Sequence, residues 1–223
     1  MEEKRNTIVI NLFGGPGSGK STTAAGLFYF FKLFGLSCEL CTEWIKECVY
    51  EERKEPFGNQ IYTFAKQHKR LLDLENKVDF IITDSPILLS SIYGQHVYEK
   101  EQFDEFIFLQ FSKFHNYNVF LQRPVTFEQV GRVHDEKASK QKDDEIWKML
   151  KTYGILHNFI ETSVYAVREI LRDFYKFYAF EDVISRENKA ENVKKLERLL
   201  DYVSYVDSYT IETTEGKDIL NEV

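Results

Sequence analysis

A chain of 223 residues, 43% of them hydrophobic, is long and apolar enough for one α/β domain with a substantial core, which excludes wholesale disorder. Its formal net charge of −7 weighs against broad, non-specific nucleic-acid binding, although a local basic groove stays open. No apolar run approaches the ~20 residues that span a bilayer and the start Met1-Glu2-Glu3-Lys4-Arg5 lacks a signal peptide's apolar stretch, so the cytoplasm is the expected compartment, with no membrane partner.

The first predicted element is a strand over Thr7–Phe13. It runs directly into Gly14-Gly15-Pro16-Gly17-Ser18-Gly19-Lys20-Ser21-Thr22-Thr23. This is G-x-x-x-x-G-K-S between a strand and a helix, the context a phosphate-binding loop requires. Glycines let the backbone curl until successive N–H groups point at one anion, and the helix start adds its positive dipole end. Gly15, Pro16, Gly17, Ser18, Gly19, Lys20, Ser21 and Thr22 are therefore the expected nucleotide-binding residues. Lys20 is expected to reach the terminal phosphates and the Ser21 hydroxyl to hold Mg²⁺.

A helix follows over Lys20–Phe34, with Gly35 as its stop. The second strand, Ser37–Thr42, ends at Glu43. It contains Cys38 and Cys41 at C-x-x-C spacing. Residues three apart on a strand face opposite sides, and no second pair or His pair is nearby, so these and Cys48 read as buried, reduced thiols. A short helix over Trp44–Tyr50 leads to the charged loop 51–56. The next helix starts near Asn59, and Ile61, Phe64, Ala65, His68, Leu71 and Leu72 are its expected buried face. Gln60, Thr63, Gln67 and Arg70 fall on another face. That face is either a wet surface or, since an amide can read a base edge, a wall of an acceptor site.

The third strand is Val78–Thr83, with Asp84 at its end. Asn76-Lys77-Val78-Asp79 spells N-K-x-D, but it precedes a strand rather than following a late one, and reads as coincidence. Asp84 is expected to orient Mg²⁺ or to take a proton from an acceptor hydroxyl; it can also cap a helix beginning at Ser85-Pro86. An amphipathic helix carries Phe103, Phe106, Ile107, Phe111 and Phe114, and a strand covers Tyr117–Leu121. The charged segment from Arg123 reads as a lid over about 123–143, with a capping box at Thr126 and Gln129. Arg123 and Arg132, with Lys137 and Lys140, would bring cations to a transferring phosphoryl group, and Gly131 would be a hinge. One long helix is predicted over Asp144–Phe174, then a strand at Phe177–Phe180 and a helix at Ala190–Tyr205.

Strands alternating with helices predict an α/β three-layer sandwich: a parallel sheet of about five strands with helices on both faces. The expected division is a domain over 1–205 and an acidic tail over 206–223. In such sheets the ligand lies at the carboxyl ends of the strands, which selects Glu43, Asp84 and Arg123. Spacing leaves open which of Glu43 and Asp84 is the base.

Gly14–Thr23, Thr42-Glu43, Asn59-Gln60-Ile61-Tyr62, Thr83-Asp84-Ser85-Pro86-Ile87-Leu88, Arg123-Pro124 and Gly131-Arg132 together resemble phage-encoded P-loop ATP-binding proteins. These are similar in turn to bacterial nicotinamide riboside kinases and, more distantly, to deoxynucleoside and nucleoside monophosphate kinases. The resemblance covers about residues 7–200 and implies a P-loop NTPase fold with ATP and Mg²⁺ as cofactors. In deoxynucleoside kinases a Glu after strand two is the base, matching Glu43, and a Gln on the following helix meets the nucleobase, matching Gln60. The chain departs in having Asp84-Ser85-Pro86 where those enzymes carry an acidic-Arg-Ser motif. Some phage relatives are held to phosphorylate 5-hydroxymethyluracil in DNA. The implied activity is transfer of the ATP γ-phosphate to a nucleoside, nucleotide or modified-base acceptor. Lys20, Glu43, Asp84, Arg123 and Arg132 are the catalytic candidates, and Glu43, Gln60, Gln67 and Arg70 the acceptor-binding ones. For a phage protein the compartment is the host cytoplasm, and an oligomer stays open. The alternatives are an ATPase coupled to a conformational or assembly step, and a nucleotide sensor.

Overall fold

The computed structural model describes residues 7–53, 58–123, 136–180 and 188–213. The chain divides into two compact units, Met1–Val167 and Arg168–Val223.

The first unit is built on β1 (Ile8–Phe13), α1 (Lys20–Leu33), β2 (Cys38–Cys41), α2 (Trp44–Tyr50), α3 (Gln60–Leu74), β3 (Phe80–Thr83), α4 (Leu89–Tyr93), α5 (Lys100–Ser112), β4 (His115–Gln122), α6 (Glu136–Thr152) and β5 (Asn158–Glu161). The five strands form one sheet in the order β2-β3-β1-β4-β5, and every pairing is parallel. Helices flank the sheet, as the alternating pattern predicted. β1 is buried along its whole length, as a central parallel strand with both faces covered must be. Register is fixed by more than apolar fit. Asn11 lies opposite Asn118 across β1 and β4, and its amide donates to Asn118 Oδ1 (3.1 Å) and Asn116 Oδ1 (2.8 Å). Asn116 in turn donates to the Phe111 and Phe114 carbonyls, and Asn118 to the Leu156 carbonyl. A cluster including Phe13, Phe64, Ile81, Phe103, Phe111 and Leu150 fills one core, with the Phe13 and Phe111 rings edge-on at 6.3 Å.

The second unit is carried by α7 (Ala166–Phe180), from Arg168 onward, and by α8 (Lys189–Thr213). Within it Phe174 stacks on Tyr178, the Asn192 amide donates to the Tyr178 hydroxyl (3.3 Å), and the Tyr175 hydroxyl donates to Glu197 (2.8 Å).

Three expectations are corrected. The helix predicted over 144–174 is α6, β5 and the start of α7. Gly154 takes a left-handed φ of +63° and its N–H bonds the Lys151 carbonyl, which ends α6 and frees the next residues to join the sheet. The strand predicted at 177–180 is the last turn of α7, because a short apolar run looks alike in both periods. On α3, Ile61 and Leu72 are exposed, whereas Gln67 is 4% exposed. Gln67 lies three residues after Phe64 and four before Leu71, which puts it on the buried stripe. The expected lid falls mostly outside the described residues, which hold Arg123 and 136–143 of it; Thr126, Gln129, Gly131 and Arg132 are not among them. No described helix is long and apolar enough to cross a membrane.

Candidate active site

The loop from β1 to α1 turns through Gly14, Gly17 and Gly19, at φ of +144°, +83° and +82°, angles that glycine adopts without steric cost. Gly19 also has no room for a side chain, since a Cβ there would lie 2.4 Å from Thr162 Cγ2. Thr162 follows β5 and buttresses the loop: its hydroxyl donates to the Ser18 carbonyl at 2.7 Å. The Lys20 ammonium lies over the loop, donating to the carbonyls of Gly14 (2.6 Å) and Gly15 (2.8 Å). Burial pulls its pKa down to about 8, although Glu43, Asp84 and Asp143 oppose that.

Asp84 is not a helix cap, because α4 begins only at Leu89. Its carboxylate is 6% exposed and spans two elements. Oδ2 accepts from the Ser21 hydroxyl at 2.6 Å and Oδ1 from the Glu43 N–H at 3.1 Å. The ends of β2 and β3 are thereby tied to the first turn of α1. Burial raises the pKa of the Glu43 carboxyl; Asp84 adds to the rise and Lys20 opposes it. Ser21, Asp84, Glu43, Lys46 and Tyr50 line a cavity of about 220 Å³.

On the opposite side of the loop, Arg123 donates through Nε (3.0 Å) and Nη2 (2.8 Å) to Asp143 Oδ2, and through Nη1 to the Pro16 carbonyl (3.0 Å). Asp143, on α6, also accepts the Gly15 N–H through Oδ1 at 2.5 Å.

The fold thus brings Lys20, Ser21, Glu43, Asp84 and Arg123 to one end of the sheet. The acceptor candidates on α3 have diverse surroundings. The Gln67 amide is committed to the chain: it accepts from Trp44 N (3.0 Å) and donates to the Thr42 carbonyl (3.2 Å) and Cys41 Sγ (3.5 Å). Arg70 donates to the Thr42 carbonyl and pairs with Glu47 at 2.7 Å. Gln60 opens α3 and packs near Gly94. Lys137 and Lys140 are exposed on α6. Burial pushes the Cys38 and Cys41 thiols up to about 12, and with Cys48 they are buried and reduced.

Sequence reasoning missed Asp143, Thr162 and Tyr93. Tyr93 ends α4; its side chain is 38% exposed, and partial burial with the negative charges of Glu43, Asp143 and Glu145 raises its hydroxyl pKa. Lys142 lies over its ring at 5.6 Å.

These residues fit a nucleoside triphosphate. Loop N–H groups and Lys20 match an anion, and the Ser21 hydroxyl beside a carboxylate matches a hard cation that keeps most of its waters. Among the described residues no three His, Cys, Asp or Glu side chains gather as a self-sufficient metal site.

The AAA domain family model matches residues 9–168. No curated protein matches the chain. Among solved structures, a deoxyadenosine kinase from M. mycoides, with dCMP and dCDP bound, has a TM-score of 0.51 at 20% identity. That match covers 75% of this chain and 99% of that one, and the likeness establishes the shared fold. A thymidylate kinase from Candida albicans has a TM-score of 0.45 at 15% identity, covering 79% of this chain and 94% of that one.

Proposed function

The chain belongs to the AAA domain family, and we propose that it is a cytoplasmic kinase. It transfers the γ-phosphoryl group of ATP to a hydroxyl or phosphate of a nucleoside, nucleotide or modified-base acceptor. The observation that carries the reading is the Ser21–Asp84–Glu43 chain of hydrogen bonds beside Lys20. It joins a phosphate-binding loop to a carboxylate pair at the edge of a small cavity. That cavity beside the loop leaves room for a second substrate.

In this reading the two carboxylates have different roles. Asp84, whose oxygens accept from the Ser21 hydroxyl and the Glu43 N–H, is the residue that orients Ser21, and the two together would hold Mg²⁺. Glu43 lines the cavity, and its raised pKa brings it nearer the range in which a general base works. Glu43 therefore takes the proton from the acceptor. Mg²⁺, when bound through Ser21, supplies charge neutralisation at the phosphate oxygens. Lys20 holds the terminal phosphates, and Arg123 meets the transferring group with a fork suited to phosphate oxygens. Arg132 joins it on sequence grounds. Gln60 faces the acceptor base, while Gln67 and Arg70 hold the cavity wall in place. Catalysis is then mostly positioning and electrostatics.

The test is transfer of labelled γ-phosphate with nucleosides, nucleoside monophosphates, nicotinamide riboside and DNA containing 5-hydroxymethyluracil offered in turn. Label in one acceptor is the expected result. ADP release that ignores the acceptor would replace the kinase with an ATPase, and no turnover would leave a nucleotide sensor.

A further inference from the structure

The mouth of the phosphate loop holds a carboxylate belonging to the chain itself. Asp143 Oδ1 accepts the Gly15 N–H at 2.5 Å, a contact of the kind a phosphate oxygen makes with such a loop. Asp143 Oδ2 accepts from Nε and Nη2 of Arg123 at 3.0 and 2.8 Å. The pair is well shielded, with side-chain exposures of 7% for Arg123 and 18% for Asp143. The fit is close: a Cβ on Gly15 would lie 2.7 Å from both Asp143 Oδ1 and the Ser139 carbonyl, so α6 rests directly on the loop. Lys20, meanwhile, donates to the loop's own carbonyls. One donor of the cradle, Lys20 and Arg123 thus have partners within the protein.

A polyphosphate brings several negative charges to this spot. It cannot share the Gly15 N–H with a carboxylate, and repulsion between like charges this close is large in a shielded site. We propose that Asp143 is a self-inhibitory anion: it closes the phosphate loop in the resting protein, and a polyphosphate binds by displacing it. Displacement breaks the Arg123–Asp143 pair and turns Arg123 toward the incoming oxygens, so that the catalytic arginine is delivered only when the nucleotide arrives. The inference rests on the loop being the polyphosphate site proposed above, but on no particular acceptor.

Metal-free inorganic tripolyphosphate, titrated calorimetrically into the full chain, tests this. Asp143→Asn keeps the shape and removes the charge, and should bind about tenfold more tightly than wild type. Glu145→Gln is the control. It removes a carboxylate from the same helix, one paired with Lys142 and not with the loop, and should change affinity less than twofold. The Gly15 amide resonance gives a second readout. Tripolyphosphate should move it in wild type, and Asp143→Asn should move it before any ligand is added. Asp143→Ser replaces the first variant if that one does not fold. Equal or weaker binding by the Asp143 variants overturns the proposal, as does a tightening equally produced by Glu145→Gln, or binding by neither protein. Tighter binding by Asp143→Asn with no acceptor ever phosphorylated would sustain this inference and remove the kinase.

Discussion

Asp84 can be stripped of its chemistry while keeping its architecture, and that separation is the sharpest test of the site. Its two oxygens hold the Ser21 hydroxyl at 2.6 Å and the Glu43 N–H at 3.1 Å. A hydrogen bond to a charged group contributes roughly 1.5–3 kcal/mol. Ser21 is exposed and can rebond to water, so Asp84→Ala loses chiefly the bond to the Glu43 N–H. It also relieves repulsion with the Glu43 carboxylate. The expected net cost is about 2 kcal/mol. In Asp84→Asn the amide oxygen still accepts from Glu43 and the amide N–H₂ can donate to Ser21 Oγ, so the cost falls below about 1 kcal/mol. Turnover behaves differently. Both variants lose the carboxylate that orients Ser21 and the metal's water, and both should fall about 100-fold or more. Urea melts and γ-phosphoryl transfer, run on the same preparations, give the two numbers. Asp84→Asn with wild-type turnover would refute the role assigned here. So would a loss of activity that merely tracks the folded fraction in both variants.

Lys20 gives a pH dependence. Its pKa in the folded chain, about 8, lies below the ordinary lysine value, so the cation that grips phosphate is lost as pH rises through 8. Triphosphate affinity should weaken there, which calorimetry at neutral and alkaline pH checks. Stability runs the other way. The cost of burying the charged form is present below pH 8 and is relieved as pH climbs toward the unfolded value. Wild type should therefore gain on Lys20→Met across that window in denaturant melts. Glu43→Gln should abolish turnover, and in wild type the acid limb of the rate profile should lie above the usual carboxylate range because the Glu43 pKa is raised; a limb at the ordinary position, measured in kcat against pH, would contradict the assignment. Gly19→Ala combines a left-handed φ with a 2.4 Å approach to Thr162 Cγ2, and should cost about 2 kcal/mol by thermal melt. Adding Thr162→Ser should recover part of that, because it removes the clash and leaves the backbone strain.

Much of the site was legible because its signals are local. The loop is a contiguous motif, Asp84 and Arg123 each directly follow a strand, and Glu43 lies two residues past one. What escaped depends on partners far away in sequence. Asp143 matters through Gly15 and Arg123, and in the sequence it is one acid among many in a charged stretch. Thr162 matters because β5 precedes it, and β5 itself was read as helix. Only Ile160 of that four-residue strand is buried, so it shows no clear alternation, and the one available cue was Gly154. The burial of Gln67 was hidden for a different reason. Its polarity suggested solvent or ligand, whereas its helical position buries it and three groups of the chain satisfy its amide.

The asparagine trio at the sheet's centre carries a consequence for how this chain can vary. Asn11 joins its two partners across β1 and β4, and Asn118 reaches on to the Leu156 carbonyl beyond α6. Replacing Asn11 by a hydrocarbon takes the shared donor from both Asn116 Oδ1 and Asn118 Oδ1 in a shielded interior, whereas replacing all three together leaves no side-chain amide short of that donor. The route between those two backgrounds passes through impaired intermediates. Descendants of this chain are therefore expected to inherit the trio whole or to discard it whole, and a sequence holding a lone survivor must carry some other polar group beside it.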